Sequence, residues 1–298
     1  MSHLSELNEI PAGLDESNLK TVVVCGLSGA GKSHFINVAT GAKLKVGCDL
    51  EPGTDQVIDR GIPFTRFEGS DAHIQLVDTP GFQTLFDKDD ISIFTKITEW
   101  LAARYSAKRR VVGLIYLRSI QEPRVSRHEE QVIQMFKDLC GSNCLNRIVW
   151  VTNRWPLGPD QGEQTREQLL KTSEKAFGPT NAGTNEVQTK RLKEGYTIDD
   201  TDEILKMFLD YSPVTLQIQR EVVDNQTTFK GTTAGGKIYN ALKRPGSEER
   251  NENNSTQLES EAAQMLEEKP SYWTLVPLVL SALALALIYI YFRRRRPL

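Results

Sequence analysis

Two rhythms of apolar residues alternate along the chain. Short β-branched runs, apolar at nearly every position, recur between longer stretches in which apolar residues return every three or four positions. The first run is Thr21-Val22-Val23-Val24-Cys25, ending at Gly26, the pattern of a strand buried on both faces. A helix is predicted from Lys32, burying Phe35, Ile36 and Val38 and stopped by Gly41. Val57 to Phe67 and His73 to Val77 form two strand-like runs joined by Glu68-Gly69-Ser70-Asp71, which predicts a β-hairpin. A helix at about 90–106 follows, with Phe94, Ile97, Leu101 and Tyr105 on one stripe, then a strand from Val111 to Leu117. Val132, Phe136 and Leu139 mark a further helix and Ile148-Val149-Trp150-Val151 a further strand. The order β-α-β-β-α-β-α-β predicts an α/β fold: a mostly parallel sheet covered on both faces, with ligands at the C-terminal ends of its strands.

Beyond residue 156 the rhythm weakens. Gly162 to Phe177 and Asp200 to Leu209 have helical patterns. Ser212-Pro213 predicts a helix start, with serine as cap and proline in the first turn, that packs Leu216, Ile218, Val222 and Val223 on the domain. Residues 1–18 are polar and aperiodic and predict a flexible arm, so the folded domain is placed at 19–243. An acidic linker follows at 244–271, seven Glu among its residues, with a short helix predicted at Gln257 to Glu267.

At residue 272 the pattern changes kind. Tyr272 to Phe292 carries no charge, and the 20 residues Trp273 to Phe292 span about 30 Å as a helix, the thickness of a bilayer core. Tyr272 and Trp273 stand at one end, Tyr289, Tyr291 and Phe292 at the other, as in an aromatic belt. A core helix would keep a polar face, and this run has none. The expectation is a single transmembrane helix at 272–292 with a basic tip at 293–298, hence a single-pass tail anchor with the folded domain in the cytosol.

Composition changes this picture only in part. Mean hydropathy is -0.39, which excludes a multi-span membrane protein but averages away one terminal span. Net charge is -3, and four of the basic residues are Arg293 to Arg296, so the body is acidic and no nucleic-acid partner is expected. A basic tip favours the mitochondrial outer membrane, with peroxisome or endoplasmic reticulum as alternatives. Cys25, Cys48, Cys140 and Cys144 lack the spacing of a metal site, and the onset MSHLSELNEI is unlike a signal peptide, so buried thiols in a reducing compartment are expected.

The chemistry is concentrated in two motifs. Gly26-Leu27-Ser28-Gly29-Ala30-Gly31-Lys32-Ser33 is a complete G-x-x-x-x-G-K-S between a predicted strand and a predicted helix. Its glycines let backbone amides wrap an anion at the positive helix end; Lys32 reaches the β- and γ-phosphates, and Ser33 ligates Mg²⁺. Leu76-Val77-Asp78-Thr79-Pro80-Gly81 ends a predicted strand in D-x-x-G. It places Asp78 near the metal and the Gly81 amide near a γ-phosphate.

In that order, with a loop containing Thr54 between them, these motifs resemble the GTPase G domain, a three-layer α/β/α P-loop NTPase. VVVCGLSGAGKSHFINVATG, LVDTPGF, GLIYLRSI and IVWVTNRW together resemble fungal single-G-domain GTPases, more distantly akin to septins, immunity-associated GTPases and chloroplast import-receptor GTPases. The resemblance covers about 20–230. It implies Mg²⁺ and GTP/GDP as ligands, a nucleotide site of Gly26, Ser28, Gly29, Ala30, Gly31, Lys32, Ser33, His34, Asp78, Gly81 and Asn153, and a metal set of Ser33, Thr54 and Asp78. Thr54 is then the switch residue, and Lys32, Thr54 and Gln83 the catalytic set. Two departures matter. Thr152-Asn153-Arg154-Trp155-Pro156 keeps the Asn of the base-reading N-K-x-D but has Pro156 for its Asp, leaving Asp160 or a backbone group as a substitute and Trp155 as either a base-stacking or a core residue. The residue after D-x-x-G is Phe82 where small GTPases have Gln, with Gln83 next, so a slow GTPase is expected, activated by homodimerisation across the nucleotide face. No final base loop is recognisable between 180 and 200. The alternatives are a P-loop ATP-dependent enzyme or kinase, and a nucleotide-binding scaffold with little turnover.

Overall fold

The computed structural model describes residues 19–44, 64–67, 72–82, 88–158, 160–178 and 188–242. The arm, Thr54, Gln83, the hairpin turn at 68–71, the linker, the apolar run 272–292 and the basic tip lie outside these. Among the described residues no helix is long and apolar enough to cross a membrane.

Six strands form one sheet in the order β2-β3-β1-β4-β5-β6: β1 Leu19–Gly26, β2 Phe64–Arg66, β3 His73–Asp78, β4 Val111–Ser119, β5 Ile148–Trp155 and β6 Gln188–Lys193. Only β2 runs antiparallel, paired with β3 as the hairpin pattern predicts. The remaining five are parallel. Because a strand's side chains alternate between faces, β1 sends Val22 and Val24 to one core and Val23 and Cys25 to the other. The first core packs Phe35 and Ile36 of α1 (Lys32–Thr40) with Ile204 and Leu205 of α5 (Ile198–Leu205). The second packs Ile97 and Leu101 of α2 (Lys88–Ser106), Phe136 and Leu139 of α3 (Arg127–Cys140) and Leu170 of α4 (Gln161–Thr172). Helix, sheet and helix therefore make three layers.

β1 pairs with β3 on one side and β4 on the other, so the chain leaves it in opposite directions. Ligands of open α/β sheets bind at such a switch point. Here it brings the loop after β1 beside the end of β3.

The predicted helix at Ser212-Pro213 is corrected. Val214 instead donates its amide to the Val111 carbonyl (2.9 Å) in an isolated bridge, which holds this stretch extended. Helical structure begins at α6 (Gln217–Gln219), continues as a π-turn over Arg220–Asp224, and buries Leu216, Ile218 and Val222 as expected. α7 (Thr233–Leu242) then packs beside α3, joined by Lys237 and Asp138.

One buried amine ties α3 to the turn after α4. Lys137 Nζ donates to the carbonyls of Glu174 (2.9 Å) and Gly178 (3.3 Å), and burial lowers its pKa from 10.5 to about 8. Below about pH 8 both folded and unfolded chains hold this proton, and the cost of burying the charge is fully present. Between about 8 and 10.5 the unfolded chain binds more protons, so this lysine makes stability rise with pH. Lys137→Met is expected to lose that rise, seen as the difference between wild-type and variant urea midpoints across the window.

Candidate functional site

The loop leaving β1 owes its shape to glycine. Gly29 and Gly31 adopt φ of +72° and +89°, in the left-handed region that side chains avoid. Gly31 is also the N-cap of α1 and supplies no side-chain cap, so the start of that helix faces the loop's concavity. Lys32 is buried and folds back over the loop, its Nζ donating to the carbonyls of Leu27 (3.0 Å) and Gly26 (3.3 Å). Burial lowers its pKa, opposed by the nearby Asp78 carboxylate. An ammonium held in low dielectric, its own hydration removed, is primed to pair with phosphate oxygens.

Ser33 Oγ donates to Asp78 Oδ2 at 2.6 Å, joining the two motifs across 45 residues of chain. Two hard oxygen donors side by side, both buried, fit a Mg²⁺ held between protein and phosphates. Thr79 Oγ1 donates to the Val24 carbonyl (2.8 Å), fixing the turn that follows Asp78.

Gly81 lies directly on the phosphate loop. A Cβ added there would stand 2.6 Å from Ser28 Cα and 2.7 Å from Lys32 Nζ. The Ser28 amide donates to the Phe82 carbonyl at 2.8 Å, and Leu27 and Phe82 form a parallel bridge. Phe82 itself turns inward: it is 1% exposed and its ring meets Phe136 of α3 edge-on, centroids 5.6 Å apart. A buried phenyl carries no group that could orient an attacking water. Thr54 and Gln83 lie outside the described residues.

At the end of β5, Asn153 Nδ2 donates to the Ala30 carbonyl (2.7 Å) and Arg154 Nη2 to that of Gly29 (3.0 Å). Asn153 is thus joined to the phosphate loop, and Arg154, with φ of +58°, is a second tie the sequence left unassigned. Trp155 and Asp160 are both engaged by the protein itself. Trp155 does not stack on a base: it is 1% exposed, its Nε1 donates to Thr152 Oγ1 (2.9 Å), and the Arg191 guanidinium covers its ring at 4.3 Å. Asp160, offered as a substitute for the missing carboxylate, is the N-cap of α4, its Oδ1 accepting the Glu163 amide (2.9 Å) in a capping box.

Between 180 and 200, where no base loop is recognisable in the sequence, the described residues contain β6. This strand pairs parallel with β5, and the Glu194 amide returns to the Trp155 carbonyl at 2.7 Å. Gly195, at φ +73°, then turns the chain so that the Tyr196 ring meets His34 edge-on at 5.4 Å. His34 follows Ser33 directly, so the β6 loop borders the phosphate site. The glycine after Leu192 was the one signal that could have marked it.

A parallel sheet with its switch point at a glycine-rich loop, a hydrogen-bonded Ser–Asp pair and a D-x-x-G turn laid on that loop fit the fold of a P-loop G domain. Residues 21–154, somewhat less than half of the chain, match the family model described as 50S ribosome-binding GTPase. No curated protein sequence matches the chain. Among solved structures, the chloroplast translocon components atToc33 and psToc159, in a study stating that dimerisation is important for their GTPase activity, align at 15% identity with a TM-score of 0.51, covering 65% of this chain and 83% of theirs. That likeness shows the fold. Toc33 from Arabidopsis thaliana with GDP and Mg²⁺ aligns at 18% identity and a TM-score of 0.47, over 60% of this chain and 72% of that one. Era from Aquifex aeolicus aligns at 19% and 0.45, over 66% and 58%.

Proposed function

We propose that the chain binds GTP and GDP with Mg²⁺ and hydrolyses GTP slowly, as a membrane-tethered GTPase that works by self-association. The observation that carries this reading is the convergence of Lys32, the Ser33–Asp78 pair and Gly81 around one glycine-rich loop. Ser33 and Asp78 would hold the metal, Lys32 and the amides at the start of α1 the phosphates, and Asn153 the loop that frames them. Bound Mg²⁺ supplies charge neutralisation at the β- and γ-phosphates. What the chain's own residues contribute is position and electrostatics, in a site where Lys32 is already desolvated.

Slow turnover follows from Phe82. With the residue after D-x-x-G buried in the core, water positioning falls to Gln83 or to a group from outside the chain. A trans-acting arginine is worth on the order of 10³–10⁵ in kcat. A second copy meeting the nucleotide face is the source we favour, as the dimerisation described for the chloroplast components suggests by analogy. The apolar run 272–292 supplies the tether, and its arginine tip favours the mitochondrial outer membrane.

Phosphate release from GTP by the full-length protein tests this. Turnover per molecule is expected to rise with protein concentration. A rate independent of concentration contradicts self-activation, and tight GTP binding with no hydrolysis at any concentration favours the scaffold reading, which the buried Phe82 also suits.

A further inference from the structure

The guanine-reading carboxylate of the usual N-x-x-D position is absent, because Pro156 occupies its place. Guanine presents two adjacent donors, N1–H and the 2-amino group, and selecting it over adenine takes an acceptor pair within reach of that edge. Two loops leave the sheet beside the phosphate site on this flank. The loop from β5 to α4 contains a single carboxylate, Asp160, and the loop from β6 to α5 a single carboxylate, Glu194. Asp160 is committed to its own helix through the Glu163 amide.

Glu194 has no such commitment. It is exposed, and among the described residues its side chain makes no hydrogen bond or ion pair. Its backbone is nevertheless fixed, because its amide is held by the Trp155 carbonyl and the next residue turns at Gly195. Tyr196 closes the far side of this loop. Its ring rests against His34, and its hydroxyl is buried with no hydrogen-bond partner among the described residues. A fixed backbone bearing a free carboxylate, bordered by an aromatic ring and adjoining the phosphate loop, is the arrangement that reading a planar base requires.

We infer that Glu194 is the guanine-specificity residue of this chain: its carboxylate accepts N1–H and the 2-amino group from the end of β6, in place of the acidic residue lost from β5. The inference rests on the guanine reading proposed above. Adenine offers an acceptor at N1 and no 2-amino group, so the same carboxylate opposes it. An amide in place of the carboxylate presents one acceptor and one donor, matching xanthine, which keeps N1–H and carries a carbonyl at C2.

The test is equilibrium binding of GDP, XDP and ADP, each with Mg²⁺, to the full-length wild type, Glu194→Gln and Glu194→Ala. The wild type is expected to prefer GDP over ADP. Glu194→Gln is expected to lose roughly tenfold or more for GDP, about 1.4 kcal/mol, and to gain XDP. Glu194→Ala is expected to lose GDP without gaining XDP. An unchanged melting temperature in both variants shows that the exposed site alone was altered. If the wild type prefers GDP and both variants keep that preference, Glu194 does not read the base and the inference is overturned while the guanine reading stands. If the wild type prefers ADP, the guanine reading itself fails and the inference falls with it.

Discussion

Lys32→Ala is expected to abolish nucleotide binding at micromolar concentrations while leaving the domain folded. The ammonium would make two charge-assisted hydrogen bonds to phosphate oxygens, each worth about 1.5–3 kcal/mol, so affinity falls on the order of 10²–10⁴-fold. Stability moves much less. Among the described residues the side chain donates to the carbonyls of Gly26 and Leu27, and burial disfavours its charge, so removing it takes away a desolvation cost along with two hydrogen bonds. Calorimetric titration with Mg·GDP, beside a thermal melt, separates the two effects. A variant that keeps wild-type affinity would show that the phosphates are held elsewhere.

The second large effect is on the fold itself. Gly26 ends β1 with φ of +145°, and a Cβ there would stand 2.4 Å from the Leu117 carbonyl oxygen on β4. Both the backbone conformation and the close approach forbid a side chain. Gly26→Ala must therefore push β1 from β4 or flatten the start of the phosphate loop, at a cost of about 2–5 kcal/mol. The expected result is a lower urea midpoint together with weakened nucleotide binding, because one residue sets both the strand pairing and the loop. By contrast, Gly29 has nothing within 4 Å of an added Cβ, so only its left-handed φ resists substitution.

Much of this architecture is legible in the sequence, for a physical reason. Central parallel strands are buried on both faces and must be apolar throughout, so β1, β4 and β5 announce themselves, as do the phosphate loop and D-x-x-G, whose glycines answer to backbone geometry. β6 is different. It is an edge strand of sequence Gln-Thr-Lys-Arg-Leu-Lys in which only Leu192 is buried, so it carries no strand periodicity to find. With β6 unseen, the loop of Glu194 and Tyr196 had no place at the site. Ser212-Pro213 misled in the opposite way: a sound local helix-start signal yielded to a long-range pairing with Val111. Trp155 and Pro156 could be weighed only when the partners of Trp155 were known, since an indole serves a core or a stacking site equally well.

The central claim is that a guanine nucleotide is bound by the phosphate loop of Lys32 and Ser33. Equilibrium binding of GTP, GDP, ATP and XTP to the full-length wild type and to Lys32→Ala tests it most directly. Tight, Mg²⁺-dependent binding of GTP and GDP, weaker binding of ATP and XTP, and loss of all of it in the variant is the predicted result. A preference for ATP, or guanine-nucleotide binding that survives the loss of Lys32, would contradict it.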